Sequence, residues 1–191
     1  MNFKMKILRL VVPAFFLAFA GGVSAQQLTV GVDGGISWPT GADFNNWHSG
    51  FTLASNDFIW VMDNLGVGIR GAYNRWFPRD IDFNQTIWEA IPSLRVRTDF
   101  RESPINVFGQ GGFGLYITEM KNGFVTGGAV GSEEGPWIGR WGASAGAGIS
   151  IGSSRYITLD LFPVFNVVLD AFESGKPFTY FTGNAAISLN F

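Results

Sequence analysis

Residues 179–191 read Thr-Tyr-Phe-Thr-Gly-Asn-Ala-Ala-Ile-Ser-Leu-Asn-Phe. Thr179, Phe181, Gly183, Ala185, Ile187, Leu189 and Phe191 fall on one side of a period-two repeat, and Tyr180, Thr182, Asn184, Ala186, Ser188 and Asn190 on the other. An apolar side and a hydrogen-bonding side, exchanged at every residue, describe a strand between two different environments. Residues 157–169 repeat the pattern: Ile157, Leu159, Leu161, Pro163, Phe165, Val167 and Leu169 against Thr158, Asp160 and Asn166. Residues 105–117 do so again, with Ile105, Val107, Phe113, Leu115 and Ile117 opposite Asn106, Gln110, Tyr116 and the small Gly112 and Gly114.

Extended backwards along the chain, the same reading predicts strands near 28–38, 50–62, 65–77, 86–99, 105–118, 138–151, 156–170 and 179–191. The second strand loses its alternation around Ser55-Asn56-Asp57, where a bulge is expected. No segment of helical period interrupts the series. Asp63-Asn64, the stretch around Arg101-Glu102-Ser103-Pro104, and Gly152-Ser153-Ser154-Arg155 are short hairpin turns. The other connections, about 39–49, 78–85, 119–137 and 171–178, are longer.

Composition decides which environment the apolar side meets. The chain has 191 residues, 16% aromatic, 15% charged, with 26 Gly, 7 Trp and no Cys. Soluble domains carry roughly 25% charged residues. One domain fits this length, and the make-up is unlike a disordered chain, a nucleic-acid binder or a disulfide-stapled domain. Residues 1–25 read as a cleaved export signal. Lys4, Lys6 and Arg9 are its basic start, Leu10 to Ala20 its apolar core and Val23-Ser24-Ala25 its cleavage site. Their removal leaves 10 basic against 15 acidic residues in 26–191, a net charge of −5 and no electrostatic case for binding nucleic acid. Lysine is then confined to Lys121 and Lys176, and the apolar side of the strands is nearly free of charge. A soluble exported β-sandwich or lipocalin-like barrel would carry Lys and Glu on its exposed strand face. Here large polar groups share their side with glycines instead.

Hydrocarbon offers backbone groups no partner, so a sheet crossing it must close on itself. Eight strands of ~9–11 residues or more, with alternately short and long connections, meet that requirement. The expected fold is all-β: an eight-stranded antiparallel up-and-down transmembrane β-barrel over 26–191, with its apolar side toward the lipid bilayer. Aromatics gather at strand ends, at Trp38, Trp47, Trp76, Phe77, Trp88, Phe100, Trp137, Trp141, Phe172, Phe178 and Phe191. Among them Trp38, Trp76, Trp88, Trp137, Trp141 and Phe191 are expected at the membrane interface.

The chain resembles the outer-membrane β-barrel domain family of Gram-negative bacteria, the small OmpA- and OmpX-like barrels. The resemblance rests on the first strand Leu28 to Ser37 leading into Pro39-Thr40-Gly41, on Asp63-Asn64-Leu65-Gly66-Val67-Gly68, on the Gly-rich Phe108 to Tyr116 and Gly142 to Gly148, and on the terminal Phe191. It implies the cell outer membrane and, through Phe191 in the last strand, recognition by the barrel-assembly machinery. It implies no single activity, since function on such barrels resides in loops and lumen.

Inside so narrow a barrel charges must pair. Asp33, Arg70, Arg95 and Asp160 are expected at similar depth, forming a lumen ion-pair network around Arg70 and Arg95, with Glu89 and Arg140 higher up. That network would plug the lumen, and a wide aqueous channel needs ~16–18 strands. A narrow channel or small-ligand conduit is the second expectation. A lipid A-modifying enzyme is the third: His48, the only His, precedes Ser49, with Asp80 and Asp82 in the next long connection. Adjacent strand residues point to opposite sides, which argues against a His48–Ser49 pair. No catalytic residue, metal or cofactor is assigned. Glu133-Glu134 reads as a solvated charge pair, and Gly109 to Gly114 lies on a strand leading into no helix, unlike a phosphate-binding loop. The expected protein is a non-enzymatic monomer with a membrane-structural or adhesive role through its external loops. The longest, 119–137, offers Phe124, Val125 and Trp137 as contact residues for a ligand the sequence does not name.

Overall fold

The computed structural model describes residues 27–40, 47–78, 85–98, 104–126, 129–152, 156–169 and 177–191. The export signal lies outside them. Eight strands follow one another: β1 Gln27–Thr40, β2 Trp47–Met62, β3 Leu65–Pro78, β4 Gln85–Arg97, β5 Ile105–Thr126, β6 Ala129–Gly152, β7 Ile157–Val168 and β8 Phe178–Asn190. Each pairs antiparallel with the next, and β1 pairs with β8 from Thr29↔Asn190 to Thr40↔Thr179, so the sheet is a closed barrel without an edge.

The stagger of this closure follows from the register. A walk around the barrel from Leu159 passes through Ile187, Val32, Ser55, Gly71, Ala90, Leu115 and Trp141. The carbonyl of Trp141 accepts from the N–H of Leu169 at 2.9 Å, so the walk returns to β7 ten residues farther on, at 169 instead of 159. Such stagger goes with strands tilted by about 35–45° and an interior that side chains fill.

The orientation of the two faces is plain. Ile157, Leu159 and Leu161 are 44%, 42% and 42% exposed on the outside, whereas Arg70 and Arg95 are buried within. The outward face of β7, from Ile157 to Leu169, is unbroken apolar surface.

Two expectations need correction. The register is continuous through Ser55-Asn56-Asp57 against both β1 and β3, and the irregularities of β2 lie at His48/Phe51 and Trp60/Met62. The alternation is lost because Ser55 and Asp57 are polar residues on the outward side, not because the strand slips. The segment 119–137 is also mostly strand. β5 and β6 stay paired to Thr126↔Ala129, with one shift between Glu119 and Lys121, and project as a hairpin beyond their neighbours. β4 reaches β5 no farther than Thr86↔Glu119, and β7 reaches β6 no farther than Gly142↔Val168 among registered pairs. Glycine and charge suggested a loop there. Backbone pairing between two adjacent antiparallel strands needs neither apolar alternation nor a third strand.

Candidate functional site

The inward side chains fill the lumen in layers. One row of paired residues runs Asp160, Ala186, Asp33, Ala54, Ala72, Glu89, Tyr116, Arg140. All three lumen carboxylates belong to it, and three alanines separate them. The small side chains leave room for long ones to cross from other rows, the alternation of sizes that a narrow barrel interior demands.

Arg70, on β3, crosses to Glu89 of β4, and its Nη1 donates to Glu89 Oε2. Glu89 Oε1 also accepts from Asn74 Nδ2 at 2.5 Å and from the Tyr180 hydroxyl. Both oxygens of a fully enclosed carboxylate are thus served by three donors from two strands, β3 and β8, as a buried charge requires. Arg95 on β4 reaches across to β7, where its Nη2 lies 2.6 Å from Asp160 Oδ2. Its guanidinium also stands 3.6 Å from the Phe108 ring centroid and 5.6 Å from that of Phe58, a placement in which ring faces add to the attraction. Asp33 belongs to neither ion pair; its Oδ2 accepts from Asn56 Nδ2. Arg140 is half-buried at the end of the row.

Arg70 with Glu89 and Arg95 with Asp160 therefore form two buried ion pairs. Asn56, Asn74, Tyr116 and Tyr180 complete the polar layer, and Tyr116 donates to Asn166 Oδ1 at 3.3 Å. Asn74 shares the inward side of β3 with Arg70, whereas Asn56, Tyr116 and Tyr180 lie on the inward sides of β2, β5 and β8, which carry none of the expected charges.

Side chains also cross the lumen near both ends. Near the short turns Arg97 lies 3.7 Å from the Trp60 ring centroid and donates to Gln27 Oε1 at 3.1 Å and to the Asp63 carbonyl at 3.0 Å. Trp60 Nε1 donates to Thr29, which donates to Asn190 at 2.7 Å. At the other end Trp76 packs edge-on against Phe178 and Tyr180 at 5.6 and 5.0 Å, amid Ile87, Ile91, Tyr116 and Val168.

Trp76 is thus a lumen plug and not an interface residue, and so is Phe178. Both lie near strand ends, but on the inward side, Trp76 in step with Arg70 and Asn74. Trp38, Trp88, Trp137, Trp141 and Phe191 do lie exposed on the outside. Tyr73 joins them, between Phe51 at 5.9 Å and Trp88 at 4.7 Å. His48 and Ser49 are exposed at the start of β2. Asp80 and Asp82 lie outside the described residues, as do the side chains of Phe124, Val125, Glu133 and Glu134.

No protein-family model matches the chain, and no curated protein does. Solved structures do. Neisserial surface protein A (NspA) is similar over 86% of this chain and 97% of its own, with 14% identity and a TM-score of 0.63. OprG, an outer membrane protein from Pseudomonas aeruginosa, is similar over 89% and 98%, with 10% identity and a TM-score of 0.56. Ail, the attachment invasion locus protein of Yersinia pestis, is similar over 86% and 98%, with 16% identity and a TM-score of 0.55. At these identities the likeness is one of fold, and the fold is that of small eight-stranded outer-membrane barrels.

Proposed function

We propose that this chain, whose fold is that of the small outer-membrane barrels, is a non-enzymatic protein of the cell outer membrane acting by its surface and not through its lumen. The observation that carries this reading is the filled interior. Two buried ion pairs occupy its middle, the Arg97–Trp60 stack its lower end and Trp76 with Phe178 its upper end. A solute would have to displace the side chains of two buried ion pairs, and each broken pair would strand a buried charge. An enzyme reading has nothing comparable to support it, since His48 and Ser49 sit side by side on an exposed strand end. Function then falls to the outside. The β5–β6 hairpin, rising past every other strand with Trp137 exposed at its base, is the element suited to meet a partner at the cell surface. The attachment named for Ail, a protein of the same fold, is in keeping with an adhesive role. The bilayer surrounds the barrel, the strand ending at Phe191 is the segment for the assembly machinery, and the barrel works as a monomer.

Planar-bilayer recording tests the filled lumen. The purified full chain should leave the bilayer without steady openings. Persistent conductance on the nanosiemens scale would overturn the reading and favour the narrow channel.

A further inference from the structure

The outward face contains one anomaly. Between the aromatic girdles, the outward residues of all eight strands are apolar or glycine among the described residues, except Ser55 and Asp57. The continuous register fixes Asp57 outward, paired with Val30 on β1 and Ile69 on β3. It lies five residues before Met62, at the short-turn end of β2, hence about 13 Å above that end for a strand tilted by about 40°. An ionisable group at such depth facing lipid is unfavourable and by default marks a function.

Asp57 is also not on a convex wall. It lines a groove of about 390 Å³ on the outside of β1–β5, walled by Leu28, Ile59, Val67, Ile69, Leu94 and Phe113. That volume is in the range of small-molecule sites, which pair apolar walls with a few placed polar groups. The Gly31 backbone amide serves the carboxylate, yet Asp57 Oδ1 is shielded and has no hydrogen-bond partner.

Among the described residues, no part of the fold brings a cation to Asp57: its carboxylate is in neither of the two ion pairs. Arg75, an outward cation, is on β3 six residues past Ile69 and lies toward Phe77. A second copy related by an axis along the membrane normal would keep its Arg75 at that same height, so it would not reach Asp57 either.

We propose that this groove is a lateral, membrane-facing binding site for a lipophilic primary amine dissolved in the bilayer, its alkyl chain along the apolar walls and its ammonium on Asp57. The site rests on the outward face meeting hydrocarbon; it is independent of whether the hairpin is adhesive. An ammonium supplies both the opposite charge and several donors, of which Oδ1 takes one.

The test uses the full mature chain folded in neutral dodecyl maltoside micelles, titrated with dodecylammonium and followed by backbone amide NMR. Saturable shifts are expected around 57–59, 67–69, 92–94 and 111–113. Dodecanol, with the same chain and no charge, should bind at least tenfold more weakly, and Asp57→Asn should weaken dodecylammonium at least tenfold. Equal response to dodecanol, or an undiminished affinity in Asp57→Asn, would reduce the groove to apolar partitioning and overturn the proposal. So would shifts centred elsewhere. The alcohol comparison uses the unaltered chain and stands even if the variant misfolds. A heat-modifiability gel on the unaltered chain separates failure of the site from failure of the membrane-barrel reading, because only the latter abolishes the folded band.

Discussion

Arg70 and Glu89 illustrate how a buried pair is best judged, by what remains when one partner goes. In the intact lumen the carboxylate takes Arg70, Asn74 and Tyr180 together. Arg70→Ala leaves Glu89 enclosed without its cation, and the expected loss is about 3–5 kcal/mol. Replacing both, as Arg70→Met with Glu89→Leu, removes both charges and should recover part of that loss, since the apolar pair needs no partner while Asn74 and Tyr180 lose their acceptor. Urea unfolding in lipid vesicles measures each; a double variant no more stable than Arg70→Ala would contradict the pairing. At this scale the sequence was legible by side. Asp33, Arg70, Glu89, Arg95 and Asp160 alternate with apolar neighbours, so the period alone turns all five inward. What period two does not carry is who meets whom. The partner of Arg95 is 65 residues away, on the far wall, and only the stagger of the closed sheet brings Asp160 to it. Trp76 departs from the interface expectation for a related reason: it is near a strand end but faces inward, and the side decides.

Among elements, β5 and β6 depart most from what their residues suggested. Segments rich in Gly and broken by Lys121 and Glu133-Glu134 lack an apolar face, and an apolar face is what makes a strand visible in sequence. Their backbones nevertheless pair in register from Lys121↔Glu134 to Thr126↔Ala129. Because this ladder is paired with no other strand among the described residues, it is separable from the barrel. Removal of 121–134, joining Met120 to Gly135, should leave a barrel that still migrates as a folded species before boiling, with its unfolding free energy changed by less than about 1 kcal/mol, the scale of loop-length effects. Loss of the folded band would mean that the hairpin is structural. The outcome bears on function too, since an element dispensable to the fold yet built as ordered strand is one kept for what it touches. The second strand teaches the opposite lesson. Its broken alternation at Ser55 and Asp57 resembled a bulge, yet the ladder is regular and the exception is chemical. A pattern break therefore has two readings, geometric slip or misplaced polarity, and only the register separates them.

For the whole molecule, the membrane orientation predicts how the cost of a charge depends on height. The unbroken outward face of β7 from Ile157 to Leu169 covers twelve residue steps, about 30 Å when tilted by about 40°. That is close to the apolar band of about 25 Å in outer-membrane barrels, with its margins at the interfaces. Leu161 is four of these twelve steps, about 10 Å, into the band and Ile157 at its lower margin, although both are about equally exposed. In water, exposure alone would decide, and Arg at either position would cost little. In a bilayer, Leu161→Arg should cost about 2–4 kcal/mol and Ile157→Arg about 0–1 kcal/mol, because only the first guanidinium is held at hydrocarbon depth. Unfolding of both variants in phospholipid vesicles reads the difference directly. Equal, small costs would place the greasy face in water and remove the membrane from the account. The depth-dependent pair of values would instead locate the hydrocarbon along β7, and with it the depth at which Asp57 awaits a cation.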